Sequence, residues 1–190
     1  MRATRSGIAA GLLVLALATG AMAQSPSPQA SPPNAPDDSP MTLPSAVGED
    51  DLTLTEGNCA AGLAATAEQL EFWQEVLSPF GKDPEKGQFA SGTAYTASGD
   101  IMVVGLFAIR VAGVPAEALT EPFLRAILGW GEDLPDLSPE WLDADGRRIQ
   151  ALTGGDYPFP SYLYPKGEVL YFIGIASDDL AIDDVLAELP

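Results

Sequence analysis

Carboxylates are the side chains of this sequence with the widest capacity for chemistry. Four of them lie in one proline-containing stretch after Trp130, namely Glu132, Asp133, Asp136 and Glu140. Calcium binds oxygen ligands and needs about six to eight of them, so one hypothesis is a calcium site that stabilises an extracellular module. A solvated acidic loop explains the same residues, and the sequence predicts no bound cofactor.

A second set of carboxylates stands at predicted turns: Asp100, Asp143, Asp145, Asp156 and Glu168. General acid–base chemistry, as in glycoside hydrolysis, needs one acid whose pKa is raised by apolar surroundings and a carboxyl separation of roughly 5–9 Å. Exposure at a turn works against such a rise in pKa. A carboxylate-based hydrolase is therefore the alternative to a domain without catalytic activity.

Histidine is absent from the sequence, and Cys59 is the single cysteine. Without histidine, catalysis by Ser-His-Asp or Cys-His groups within this chain is excluded, together with histidine-containing metal sites. A lone cysteine in an exported chain forms no internal disulfide. Cys59 has three interpretations: a bond to another chain, an oxidation-sensitive thiol, or a small apolar core residue.

The N-terminus has the pattern of a secretory signal peptide. Arg2 and Arg5 precede an apolar run over 8–18, and Ala21-Met22-Ala23 fits a cleavage site. We therefore predict a signal peptide over 1–23 and a secreted or extracytoplasmic protein. Residues 24–42 are rich in Pro and Ser and predict a disordered spacer, followed by a single domain over 43–190. No later segment is long and apolar enough to cross a membrane.

The sequence is strongly acidic, with 9 basic and 27 acidic residues and a net charge of −18. Removal of residues 1–23 would take away two basic residues and no acidic one, which changes the net charge to −20. Such a chain is repelled by nucleic acid and by anionic lipid, so no nucleic-acid partner is expected. The acidity favours a cationic partner, or it serves solubility or tolerance of salt.

Two stretches predict strands at the centre of a sheet. Residues 100–114 form the longest apolar run after the signal peptide, and residues 168–176 form a second. Both are apolar on both faces when read with a period of two. A strand of this kind must be covered on both sides, so we expect the two stretches to lie close together.

The remaining pattern predicts an α+β fold. Strands are expected over 51–56, 88–96 and 157–164, and Asp145-Gly146 predicts a hairpin turn within 141–149. Helices are expected over 66–79, over 115–130 with a kink or break at Pro122, and after a Ser177 cap. The predicted order is β-α-β-β-α-β-β-β-β-α, with one mostly antiparallel sheet packed by about three helices.

Three helices on one side would leave the other sheet face uncovered, and large exposed apolar patches mark binding sites or oligomer interfaces. The function hypothesis is therefore a non-enzymatic exported domain that binds a protein or envelope component, or another copy of itself, through this face. The candidate residues are Met102, Val104, Leu106, Tyr162, Tyr164, Tyr171 and Phe172. Coverage of the face by loops and the N-terminal segment is the competing interpretation.

Several short pieces of the sequence carry a resemblance. They are L-P-S-A-V-G (43–48), F-G-K-D-P (80–84), F-A-I-R-V-A-G-V (107–114), Y-L-Y-P-K-G-E-V-L-Y (162–171) and the closing A-E-L-P. In this order and spacing the chain resembles a loose group of exported bacterial proteins of unknown function. The resemblance implies one domain behind a signal peptide and a Pro/Ser-rich spacer. It brings no catalytic residue with it.

Overall fold

The computed structural model describes residues 41–48, 50–58, 67–96, 99, 102–130, 138–153 and 159–190. The predicted signal peptide and nearly all of the predicted spacer lie outside these residues, as do Cys59, Asp100 and Asp156. The first described residue, Met41, already has a buried side chain. Met41 and Thr42, which the sequence assigned to the spacer, are thus described together with the predicted domain over 43–190.

The fold is α+β, as predicted, and it is built on one antiparallel sheet of seven strands. The described strands are β1 (Ala46–Val47), β2 (Asp50–Asp51), β3 (Thr53–Asn58), β4 (Gly87–Tyr95), β5 (Met102–Val111), β6 (Ser138–Ala144), β7 (Arg147–Thr153), β8 (Ser161–Lys166) and β9 (Val169–Ile175). The order in the sheet is β3-β4-β5-β9-β8-β7-β6, and the two short strands β1 and β2 pair with each other outside it.

Three helices accompany the sheet: α1 (Ala67–Leu77), α2 (Ala116–Trp130) and α3 (Ile182–Glu188). A single 3-10 turn over Ser78–Phe80 ends α1, and Gly81 closes it in the left-handed conformation that glycine adopts readily. Pro122 lies inside α2 without dividing it into two helices.

The predicted cap at Ser177 is wrong, because α3 begins at Ile182 and the Ser177 hydroxyl instead accepts a hydrogen bond from the backbone of Asp179.

The prediction that the two apolar stretches lie close together is confirmed. β5 pairs directly with β9 in the middle of the sheet, with Val104 opposite Ile175 and Phe107 opposite Phe172. Side chains that oppose each other across paired strands lie on the same face of the sheet. The register therefore places Phe107 and Phe172 on one face, and Val104 and Ile175 on the other.

Helices α1 and α2 cover the first of these faces, which we call the helical face. Trp73 of α1 stacks on Phe107 with 5.5 Å between ring centroids, and Phe123 of α2 lies 6.0 Å from Phe172. The buried stripe of α1 consists of Gln69, Phe72, Trp73, Val76 and Leu77, which is the i, i+3, i+4 spacing of an amphipathic helix. Leu70 lies beside this stripe and is exposed.

The opposite face, which we call the covered face, is closed by both ends of the described chain. The terminal cover consists of residues 41–48, 50–52 and 180–189. Helix α3 packs against β1, and Leu52 donates its backbone N–H to Ser45 at 2.8 Å. Leu52 also lies against Gly92 of β4, and Lys166 of β8 donates a hydrogen bond to the Pro190 carbonyl. These contacts place the cover over β4 and β8.

None of the helices that the structure describes has the length and apolar character needed to cross a membrane.

Candidate binding surface

The seven residues predicted to form an uncovered sheet face do not form one. Five of them are buried, with exposed fractions of 0% for Val104, 2% for Leu106, 7% for Tyr164, 4% for Tyr171 and 2% for Phe172. Met102 and Tyr162 are half-buried. The expectation of an exposed patch at these positions is wrong, because the terminal cover occupies the face that three helices on one side would have left open.

The same residues are also divided between the two faces. Phe172 lies on the helical face against Phe123, whereas Tyr162, Tyr164 and Tyr171 belong to the covered face because Tyr162 opposes Ile173 and Tyr164 opposes Tyr171. Tyr171 and Phe172 are consecutive in one strand, and consecutive side chains point to opposite faces. They could not both have lain on the one uncovered sheet face that was predicted.

Two tyrosines of the covered face, Tyr162 and Tyr171, have a raised pKa. Tyr164 and Tyr171 stack with 5.9 Å between ring centroids. Burial raises the pKa of Tyr171, the neighbouring Tyr164 raises it further, and the positive charge of Arg110 lowers it. Burial also raises the pKa of Tyr162. Both phenols therefore hold their protons more tightly in the folded chain than in the unfolded one.

This difference predicts a loss of stability at alkaline pH. The contribution of the two phenols is fully present below the ordinary tyrosine pKa of about 10, and it is lost as the pH rises from there through the higher pKa of the folded state. Unfolding curves above pH ~10 should show this decline, and the double variant Tyr162→Phe/Tyr171→Phe should decline less steeply. Near-ultraviolet absorbance of tyrosinate reports the titration directly. Ordinary titration of every tyrosine in the folded protein would contradict the expectation.

One of the four acidic residues of the predicted calcium loop lies within the described residues. Glu132, Asp133 and Asp136 lie outside the described residues. Glu140 is described, and it is an exposed residue of strand β6 rather than of a loop. Among the residues with a described position, no three acidic or cysteine side chains come together as metal ligands would.

Two of the described carboxylates at turns accept hydrogen bonds from backbone N–H groups. Asp143 accepts a hydrogen bond from the Gly146 N–H at 3.0 Å, and Glu168 accepts one from the Gly113 N–H at 3.2 Å. All three of Asp143, Asp145 and Glu168 are exposed. Their arrangement accounts for turn geometry and gives no pair of acids in apolar surroundings.

The β6–β7 hairpin exposes two large apolar side chains, one on each side of the sheet. Among the described residues four such side chains are exposed, and two of them, Trp141 at 42% and Leu142 at 40%, are neighbours in β6. Strand β6 stands at the end of the sheet and pairs only with β7 among the described strands. Trp141 projects toward the side of the helical face and Leu142 toward the side of the covered face, because they oppose Gln150 and Ile149 respectively.

The side chain of Trp141 is held in place by a contact with the neighbouring strand β7. The Arg148 guanidinium lies 4.3 Å from the centre of the Trp141 ring, a distance at which a cation is attracted to the face of an indole. Asp145 and Gly146 form the turn with φ values of 51° and 72°, which are the two positive φ values of a type I′ hairpin turn. The predicted hairpin at Asp145-Gly146 is confirmed.

Two buried polar atoms of β7 have no hydrogen-bond partner among the described residues: the Gln150 Oε1 atom and the Arg147 Nη1 atom. Gln150 and Arg147 are three positions apart in one strand, so their side chains lie on opposite faces of the sheet.

Sequence reasoning identified the hairpin but missed Trp141 and Leu142 as candidate surface residues. One signal was available, namely that two large apolar side chains stand together between the acids Glu140 and Asp143. A strand with one buried face would alternate apolar and polar residues, and this one does not. A consecutive apolar pair in a strand flanked by acids is compatible with an edge position.

Comparison of the chain with protein-family models, with curated proteins and with solved structures finds no match.

Proposed function

We propose that this chain is an exported domain without catalytic activity that binds a protein or envelope component through the β6–β7 hairpin. The observation that supports the proposal is the adjacent exposure of Trp141 and Leu142 at a sheet edge. Tryptophan and arginine dominate the energetics of protein interfaces, and here an Arg148 guanidinium already lies against the exposed indole. Extracytoplasmic location follows the predicted signal peptide and forms part of the proposal.

The local geometry supports a binding role for the hairpin over a purely structural one. Trp141 and Leu142 each leave about two fifths of their surface in water, and their removal from water on binding would contribute favourable free energy. A type I′ turn and the cross-strand Arg148 contact fix the strand before binding. A fixed surface loses little conformational entropy when a partner arrives.

The test is affinity capture from the envelope fraction of the source cell, with the chain lacking residues 1–23 as bait. The double variant Trp141→Ala/Leu142→Ala should bind the captured partner about thirtyfold more weakly, since truncation of an interface tryptophan that dominates binding costs about 2 kcal/mol or more. The matched control is Leu54→Ala/Leu70→Ala, which removes the other two exposed large apolar side chains. This control variant should retain the captured partner in the same amount as the original chain.

Thermal unfolding of both double variants is the necessary companion measurement. Surface substitutions usually change the free energy of unfolding by less than about 0.5 kcal/mol each, so both variants should fold. If the Trp141/Leu142 variant folds and captures the same components in the same amounts as the original chain, the hairpin is not the binding surface.

A further inference from the structure

We propose that the partner adds to β6 as an extended antiparallel strand with the side-chain order basic, apolar, apolar, basic. This inference rests on the function proposed above and specifies its mode and the chemistry of the partner. Three features of β6 support it: the direction of its backbone groups, the faces on which its side chains lie, and the charges of those side chains.

The backbone of β6 alternates between groups that face β7 and groups that face outward. Ala144 and Arg147 flank the two-residue turn and oppose each other, so they form a hydrogen-bonded pair. By alternation, Leu142 and Glu140 also bond to β7. Trp141 and Asp143 therefore direct their N–H and C=O groups to the open side, where an added strand would find them.

Pro139 sets one limit of this edge. It occupies the next outward-facing position, and proline has no N–H to donate. Because its missing donor would have pointed to the open side, Pro139 leaves the β6–β7 pairing intact and weakens strand addition beyond Glu140. The region able to accept a strand is thus centred on residues 140–143.

On each side of the strand this region presents one acidic and one large apolar side chain. Trp141 and Asp143 lie toward the helical face, and Glu140 and Leu142 lie toward the covered face. Directly opposed side chains in an added strand would be about 4.5–5.5 Å away. Read from its N-terminus, an antiparallel partner meets Asp143, Leu142, Trp141 and Glu140 in turn, which requires a basic, an apolar, an apolar and a basic residue.

The two basic positions are not equivalent. Asp143 opposes Arg148 within the hairpin, whereas Glu140 opposes Ala151 and faces no cation across the strand. The base opposite Glu140 should therefore contribute more to affinity than the base opposite Asp143. The acidity of the whole chain, with its net charge of −18, favours the approach of a basic segment.

A second copy of this chain fits the edge less well. Two copies of β6 can pair only when their outward-facing residues oppose each other. With Trp141 opposite Trp141, each Glu140 meets a Leu142. In the register shifted by two residues, Trp141 meets Pro139 and Glu140 meets Glu140, which is destabilising. Repulsion between two strongly acidic chains adds to this cost.

The experiment is a selection of ten-residue peptides from a fully randomised display library on the chain lacking residues 1–23. Recovered peptides should be enriched about tenfold or more in the basic–apolar–apolar–basic pattern. The variant Glu140→Lys/Asp143→Lys should reverse the preference to acidic residues at the two outer positions. The matched control, Glu71→Lys/Glu75→Lys, changes two exposed acids on α1 and should leave the pattern unchanged.

Backbone methylation of the best selected peptide distinguishes strand addition from side-chain binding alone. N-methylation of the residue opposite Trp141 removes a hydrogen bond to β6 and should weaken binding about tenfold or more. N-methylation of the residue opposite Leu142, whose N–H points away, should weaken it much less. Equal effects at the two positions, absence of the pattern, or an unaltered preference in the charge-reversed variant would overturn the inference.

These outcomes are separable from failure of the proposed function. If capture depends on Trp141 and Leu142 but the peptides show no strand pattern, the hairpin is the surface and strand addition is wrong. If the chain instead dimerises in sedimentation experiments and Trp141→Ala/Leu142→Ala abolishes the dimer, a second copy is the occupant and the basic partner is wrong.

Discussion

The variant Trp73→Ala should lose about 3–5 kcal/mol of unfolding free energy, the largest loss expected from a single truncation in this chain. Trp73 is 1% exposed. Its ring lies 5.0 Å from Phe72, 5.5 Å from Phe107 and 6.1 Å from Phe123. It thus joins α1 to the sheet and to α2 at the same point, and alanine would leave a cavity that three rigid rings cannot fill.

Thermal or urea unfolding measures this loss. For a chain of this size each kcal/mol corresponds to about 2–4 °C in Tm, so Tm should fall by about 10 °C. The matched control is Trp141→Ala, the same substitution at an exposed site, which should cost less than about 1 kcal/mol because it removes a half-exposed ring and one cation–π contact. Similar losses for the two variants would mean that the helical face is not the principal core.

The sequence was informative wherever one local requirement determined the structure. A strand apolar on both faces has to be central, and 100–114 and 168–176 proved to be paired neighbours. The two positive φ values of a tight hairpin suit Asp145-Gly146, and the turn lies there. The buried positions Leu119 and Phe123 of α2 likewise follow from helical periodicity.

The sequence was uninformative about which element covers which face. Periodicity shows that a side chain must be buried, but the identity of the element above it depends on the path of the whole chain. The cover over Val104 and Leu106 combines a seven-residue helix with a segment around Met41 and Val47 that has no periodic pattern. Neither piece is long enough to reveal its packing from sequence alone.

Leu54 shows the same limit at a smaller scale. A single strand over 51–56 would point Leu52 and Leu54 to the same face, yet Leu52 is 9% exposed and Leu54 is 39% exposed. Leu52 lies between β2 and β3 rather than within a strand, so the two residues do not follow one pleat. The candidate surface was missed for a related reason, because only the strand order reveals that β6 is an edge.

The variant Leu186→Ala should lose about 2–5 kcal/mol of unfolding free energy. Leu186 is fully buried in α3, beside Val185, in the same core as Leu106 and Ile173 of the covered face. The loss is expected because the cover is part of the core and not a terminal appendage. Leu142→Ala removes the same atoms from an exposed position in β6 and should cost less than about 0.5 kcal/mol.

A double-mutant cycle with Val47→Ala tests whether both ends of the cover act as one unit. Helix α3 packs against β1, which contains Val47, and residues in contact usually show coupling energies of about 0.5–3 kcal/mol. The pair Leu186→Ala and Val47→Ala should therefore deviate from additivity, whereas Trp73→Ala and Leu186→Ala, on opposite sides of the sheet, should be closer to additive. If Leu186→Ala leaves the free energy of unfolding unchanged, the covered face is stable without its cover, and its apolar side chains become available to a partner after all.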